Sequence, residues 1–181
     1  MKLLLLASGT GSLAQAILDA GFEIASVVSD VPGAQVLDRA AAANIATKVI
    51  PFRKPRAEWD QELINYVQSV SPDLVVSVGF MRILSSEFVS KFKVINSHPA
   101  LLPNFPGAHA VKDALAAGAT QTGCTVHWVD AGVDTGQVIA QRTVDVLPID
   151  DHESLHERIK IVERKLIVEV IKSLESKSER S

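Results

Sequence analysis

The chain has one cysteine, Cys124, among its 181 residues. A single thiol excludes an internal disulfide and a cysteine-based zinc site. No apolar run approaches the ~18 residues that a membrane-spanning helix needs. Basic residues are not in excess: 18 Lys and Arg stand against 21 Asp and Glu, a net charge of −3. A nucleic-acid-coating surface is therefore not expected, and any anionic ligand needs a local positive site. No internal repeat, low-complexity segment or linker marks a second domain. The opening Met1-Lys-Leu-Leu-Leu-Leu-Ala-Ser8 has the look of a signal peptide, but its apolar run is too short and Gly9-Thr-Gly11 follows at once. A buried first strand fits better, and no membrane association and a cytoplasmic location are expected.

What is present is ordinary for a globular protein: 47% hydrophobic and 22% charged residues. The length suits one domain with a sizeable core, expected over residues 1–174, followed by a frayed polar tail over 175–181. Lys2–Ala7 is a continuous apolar run, as in a parallel strand covered on both faces. A turn follows, then a helix over Leu13–Ala20 with Ser12 as its N-cap. Further strands are expected at Phe22–Val28, Ala46–Ile50 and Leu74–Val78, with helices at Ala34–Ala43, Arg56–Val70 and Ser86–Phe92. A fifth strand ends at Asn96–His98, and a helix covers Ala108–Ala117. Strands at Thr122–Val129 and Gln137–Thr143 precede a last helix from about Asp151 to Leu174. This alternation predicts an α/β domain with a mainly parallel sheet and right-handed crossovers. Ligands in such sheets bind beyond the carboxyl ends of the strands, where Ser8–Ser12, Gly79–Leu84 and Asn96–His98 fall.

The most informative stretch is Val94-Ile-Asn-Ser-His-Pro-Ala-Leu-Leu-Pro-Asn-Phe-Pro-Gly107. Asn96 and His98 are two apart, so on extended backbone both point to one face. Pro99 blocks helix continuation, and Pro103, Pro106 and Gly107 keep the exit irregular. An amide beside an imidazole can donate hydrogen bonds to an oxygen gaining negative charge, and the imidazole can also pass on a proton. The same two residues could instead satisfy loose backbone groups at a strand end, and both readings stand at this point.

Other motifs pull in different directions. Gly9-Thr-Gly-Ser-Leu-Ala14 matches G-x-G-x-x-A after a first strand, with Asp30 near where a dinucleotide fold holds a ribose; a nicotinamide oxidoreductase is one reading. A plainer one is an anion site for a phosphate, built from backbone N–H groups and the helix dipole. His152-Glu-Ser-Leu-His156 matches the zinc-protease pattern H-E-x-x-H. Its acidic neighbours Asp150, Asp151, Glu153 and Glu157 suit a helix N-terminus, and Leu155, Ile159, Val162 and Leu166 form an apolar face, so the match reads as accidental. Asp134, in a glycine-flanked loop, could return to the sheet edge and favour the imidazolium form of His98, or be a turn residue, as could Asp130. Arg56, Arg82, Arg158 and Lys160 are candidates for anion contacts or plain surface charges. Cys124 and His127, both in a strand, read as structural.

Four segments together resemble the phosphoribosylglycinamide formyltransferases: Ser8-Gly-Thr-Gly-Ser12, Gly79-Phe-Met-Arg-Ile-Leu84, Asn96-Ser-His-Pro-Ala-Leu-Leu-Pro103 and Asp130-Ala-Gly-Val-Asp-Thr-Gly136. The third alone identifies only the wider formyltransferase group, which includes formyltetrahydrofolate deformylase. The glycine loop and the short chain, with no room for the extra domains those relatives carry, point to the purine enzymes. The resemblance implies a single Rossmann-like domain, its first half binding phosphate and its second binding folate and carrying the chemistry. It implies transfer of a formyl group from 10-formyltetrahydrofolate, a co-substrate, to the amine of glycinamide ribonucleotide, with no metal and only small molecules as partners. By that resemblance Asn96, His98 and Asp134 are catalytic. Gly11, Ser12, Leu13, Pro99, Lys160 and Glu163 would hold the ribonucleotide, with Glu163 at its amine. Arg56, Met81, Arg82, Ile83, Leu84, Asn96, Asp130 and Asp134 would meet the folate. Two departures from the family pattern are Leu13, where many members have Asn, and Val111, where some have a second histidine beside His109. The oligomeric state is left open, a homodimer included.

Overall fold

The structure is a computed structural model that describes residues 1–179. Seven strands form one sheet in the order β3-β2-β1-β4-β5-β6-β7. The chain divides into two compact units, Met1–Ile95 and a second beginning at Asn96.

In the first unit, β1 (Leu3–Leu6) pairs in parallel with β2 (Ile24–Ser29) and β4 (Leu74–Ser77), and β2 with β3 (Thr47–Val49). All four residues of β1 are fully buried, as its unbroken apolar run requires of a central strand covered on both faces. Helix α3 (Arg56–Val70) has the bounds its pattern predicts. It buries Trp59, Leu63, Ile64 and Val67, and the Trp59 indole N–H donates to the Ile50 carbonyl at 2.9 Å.

Helix α1 (Ser12–Asp19) corrects one expectation. Its N-cap is Gly11, not Ser12, and no side chain caps it. Gly11 has φ 73°, in the left-handed region that serine disfavours, so the turn places glycine at the cap and Ser12 in the first helical turn. A Cβ on Gly11 would lie 2.5 Å from Val36 Cγ2 and 2.9 Å from Val36 Cα, on α2 (Gln35–Ala42). Gly11→Ala therefore combines backbone strain with a clash against main chain. We expect it to lower stability by about 1–3 kcal/mol, measured by urea unfolding; an unchanged midpoint would show that the loop relaxes freely.

Strand β5 (Val94–His98) leads from the first unit into the second. There α5 (Ala110–Ala116) is followed by the antiparallel pair β6 (Gln121–Trp128) and β7 (Val138–Asp145). The short helix α4 (Ser86–Lys91) precedes β5, capped by Ser85, whose Oγ accepts from the Phe88 N–H. The last helix, α6, runs over His152–Ser178, beyond the expected end at Leu174. No glycine or proline interrupts residues 172–178, so nothing local stops it. The expected tail from Glu175 is thus helical as far as Ser178, and its residues 180 and 181 lie outside the described part. Asp151 caps α6 in a reciprocal pair with Ser154, as its acidic start implies. The buried face of α6 is Leu155, Ile159, Glu163, Leu166, Ile167, Val170 and Ile171, with Val162 only half-buried. Among the described residues, no helix is long and apolar enough to cross a membrane.

Candidate active site

Within the second unit, Asn96 and His98 project from one face of β5, as their spacing requires. His98 is 4% exposed. Its Nε2 lies 2.8 Å from the Phe105 carbonyl oxygen and its Nδ1 3.4 Å from Asp134 Oδ2. Both neighbours can only accept, so a ring carrying both protons satisfies both contacts. Phe105 holds its carbonyl there with φ 53°, left-handed backbone uncommon for a non-glycine residue.

Asp134 comes back to β5 through the loop between β6 and β7. Gly136 permits this course: a Cβ there would lie 1.7 Å from the Trp128 carbonyl oxygen. Asp130 braces the loop, its Oδ1 accepting from the Gly132 N–H at 3.0 Å and the Thr135 hydroxyl at 2.7 Å. Of the two aspartates, Asp130 is thus the exposed turn residue and Asp134 the one that reaches the imidazole. The Gly107 N–H donates to Asp134 Oδ2 at 2.7 Å. Burial by itself would push the Asp134 carboxyl up. Hydrogen bonding to His127 and from Gly107, with the nearby charges of His98 and His127, outweighs it and holds Asp134 below the ordinary aspartate range.

His127 belongs to this cluster, although alternation along β6 reads it as structural. Its Nδ1 donates to the Trp128 carbonyl oxygen at 2.8 Å. Its Nε2 lies 3.3 Å from Asn96 Nδ2 and 3.5 Å from Asp134 Oδ1. As a lone pair, Nε2 accepts one Asn96 amide hydrogen and leaves the other free to point outward; protonated, it pairs with Asp134. The signal in the sequence was position: His127 lies seven residues before Asp134 across one tight loop, so β6 delivers it to the same edge.

Also in the second unit, Glu163 on α6 is 4% exposed and accepts from Ser97 Oγ at 2.7 Å. Burial pushes its carboxyl up to about 7, against lowering by the Ser97 hydrogen bond, Lys160 and Arg164. Lys160 is one turn away, its Nζ 2.7 Å from Glu157 Oε1. Pro99 is half-buried after β5, and His109 is the exposed residue before α5. Cys124 is buried and its thiol is pushed up to about 12 by desolvation and the Glu163 charge, which leaves it inert.

The first unit holds a different set of predicted residues. Ser8 Oγ donates to Asp30 Oδ1 at 2.5 Å and accepts from the Met81 N–H at 2.9 Å. Arg82 Nε donates to Asp30 Oδ2 at 2.6 Å. Both Asp30 oxygens are thereby engaged in tying the glycine loop to the segment after β4, so the dinucleotide reading loses its ribose-binding acid. Arg82 lies over the Phe52 ring at 4.2 Å, with Arg56 5.8 Å from the same centroid. Arg56 also donates to Asp60 at 2.8 Å and to the Ile83 carbonyl. Met81 and Ile83 are 62% and 59% exposed, whereas Leu84 is buried. Gly11, Ser12 and Leu13 head α1, whose first-turn N–H groups are left without a side-chain cap.

The His152 and His156 rings lie 5.5 Å apart at the start of α6. Among the described residues, no group of three or more His, Cys, Asp or Glu gathers at metal-binding distance.

A neutral amide, two imidazoles and a half-buried carboxylate gather at a strand end of an α/β sheet, and the chain belongs to the formyl transferase family, whose model matches residues 1–171. It is 48% identical to the phosphoribosylglycinamide formyltransferase of Mycobacterium tuberculosis (strain ATCC 25618 / H37Rv), over 96% of this chain and 84% of that one. Among solved structures, it matches phosphoribosylglycinamide formyltransferase from Streptococcus pneumoniae TIGR4 with a TM-score of 0.91 and 38% identity, covering 96% of this chain and 98% of that one. Glycinamide ribonucleotide transformylase 1 from Geobacillus kaustophilus matches with the same TM-score at 39% identity, covering 96% and 97%.

Proposed function

We propose that this enzyme transfers the formyl group of 10-formyltetrahydrofolate to the amine of glycinamide ribonucleotide, in cytoplasmic purine biosynthesis. The observation that carries the reading is the Asn96–His98–Asp134 cluster, on a chain that shares its length and fold with enzymes of that name. The amine nitrogen forms a bond to the formyl carbon, and the carbonyl electron pair moves to oxygen. An Asn96 amide hydrogen and protonated His98 stabilise that oxyanion. When the bond from carbon to the folate N10 breaks, the electron pair goes to N10 and a proton lost by the amine replaces the formyl group there. His98, with Asp134 beside it, carries protons in that exchange. No covalent bond to the protein is required.

The remaining residues divide between the two units. In the first, the uncapped N–H groups at Gly11, Ser12 and Leu13 suit a phosphate. Exposed Met81 and Ile83 offer apolar surface to the folate, with Arg82 and Arg56 toward its acidic end. In the second, Glu163 and Pro99 suit the acceptor, and Lys160 and the loop from Asp130 to Asp134 carry further polar groups that substrates can meet.

The test is release of deformylated folate, followed optically, with and without glycinamide ribonucleotide. Release that depends on the acceptor is expected. Equal release without acceptor would make the enzyme a deformylase. Folate binding with no release would overturn the choice of acceptor.

A further inference from the structure

Ser97 lies between Asn96 and His98, so its side chain leaves the opposite face of β5. There it meets α6. Both partners are buried, Ser97 at 7% and Glu163 at 4% exposure, and Oγ to Oε1 is 2.7 Å. The buried face of α6 is otherwise apolar. A carboxylate among Leu155, Ile159, Leu166 and Ile167 costs desolvation and persists only where something holds it. Ser97 is its one hydrogen-bond partner among the described residues, so Oε2 keeps its lone pairs for a ligand. Glu163 thus reaches the end of β5 from the face opposite the imidazole.

We propose that Ser97 is a positioning residue for acceptor binding: its hydroxyl holds Oε1 of Glu163 so that Oε2 points to the N–H or O–H donors of the ribonucleotide. This rests on the reading that Glu163 contacts the acceptor. The groups that bear on the carboxylate are Ser97 from β5, Lys160 and Arg164 along α6, and Cys124 from β6, a thiol that stays neutral. Ser97 acts on the charged form, because its O–H donates to a carboxylate. Without it, burial is opposed only by the two cations, and Glu163 takes up its proton at higher pH.

The experiment measures kcat and KM for glycinamide ribonucleotide between pH ~6 and ~9 in the full-length wild type and in S97A, S97T, S97V and E163Q. In S97A, KM is expected to rise about tenfold or more at neutral pH, as for loss of a hydrogen bond to a charged group. The acidic limb of kcat/KM should move to higher pH, with kcat on the alkaline plateau within about twofold of wild type. S97T should restore both values and the isosteric S97V should not, which separates the hydroxyl from packing and does not depend on how S97A folds. Equal behaviour of S97T and S97V, or wild-type KM and limb in S97A while E163Q raises KM, would overturn the proposal. A wild-type KM in E163Q would instead overturn the placement of Glu163 at the acceptor.

Discussion

His98→Ala is expected to lower kcat by about 10³-fold or more while the fold persists. Two contributions are lost together. One is a hydrogen bond to the oxyanion, for which removal of a single donor typically costs about 10²–10³ in rate. The other is a proton carrier, worth about 10²–10⁴. The two overlap in one side chain and do not multiply in full, so the expected loss is about 10³-fold, below their smallest product of about 10⁴. The fold should survive because His98 ends its strand. Its ring contacts a carbonyl and a carboxylate, and the flanking core residues Val94 and Ile95 are untouched. The check is steady-state kinetics at saturating folate with circular dichroism on the same sample. A variant that keeps its secondary structure and works within about tenfold of wild type would remove His98 from the chemistry.

Much of this arrangement is readable in the sequence where one physical signal dominates. The apolar run Leu3–Leu6 is a buried central strand: it is short, a glycine-rich turn ends it, and all four leucines are fully buried, as in a strand covered on both faces. Arg56–Val70 is a helix with its expected bounds, since its apolar spacing has a single period. Asn96 and His98 share a face because a strand alternates.

What stayed hidden depends on tertiary context. The α1 cap fell on Gly11 because the turn demands a positive φ, which outweighs the usual preference for serine. Apolar periodicity chose Val162 over Glu163 for the core face of α6, although 155, 159 and 163 are each four apart and continue one row. A carboxylate in that row is a signal in itself, and in the structure it accepts a hydrogen bond from the buried Ser97. Strand alternation reads His127 as structural; its place in the cluster depends on how the β6–β7 loop folds back. The same loop decides between Asp130 and Asp134, which spacing alone leaves open. Roles for Lys160, Arg56 and Arg82 came from resemblance, and these side chains sit in ion pairs with Glu157, Asp60 and Asp30.

Asp134→Asn separates charge from shape at the centre of the site. The amide oxygen can still accept from the Gly107 N–H, so the loop should keep its course. What disappears is the negative charge 3.4 Å from His98 Nδ1 and 3.5 Å from His127 Nε2. Asp134 titrates below the ordinary aspartate value of 3.8. A carboxyl with a depressed pKa is ionised in the folded protein above its ordinary value, and its contribution is lost as pH falls through the depressed one. At neutral pH it is therefore a permanent counter-ion, and the enzyme's neutral-range profile reports the groups it supports. In the variant, kcat should fall about 10²-fold or more. The kcat–pH profile should also change, because the negative charge beside the catalytic imidazole is gone. Acid unfolding should also change: the wild type loses the Asp134 share of its stability below pH ~4, and the variant has no such share to lose. Kinetics across pH and acid titration of the fold test the two halves separately. A kcat profile identical in shape and position to wild type would mean that the carboxylate serves the loop alone.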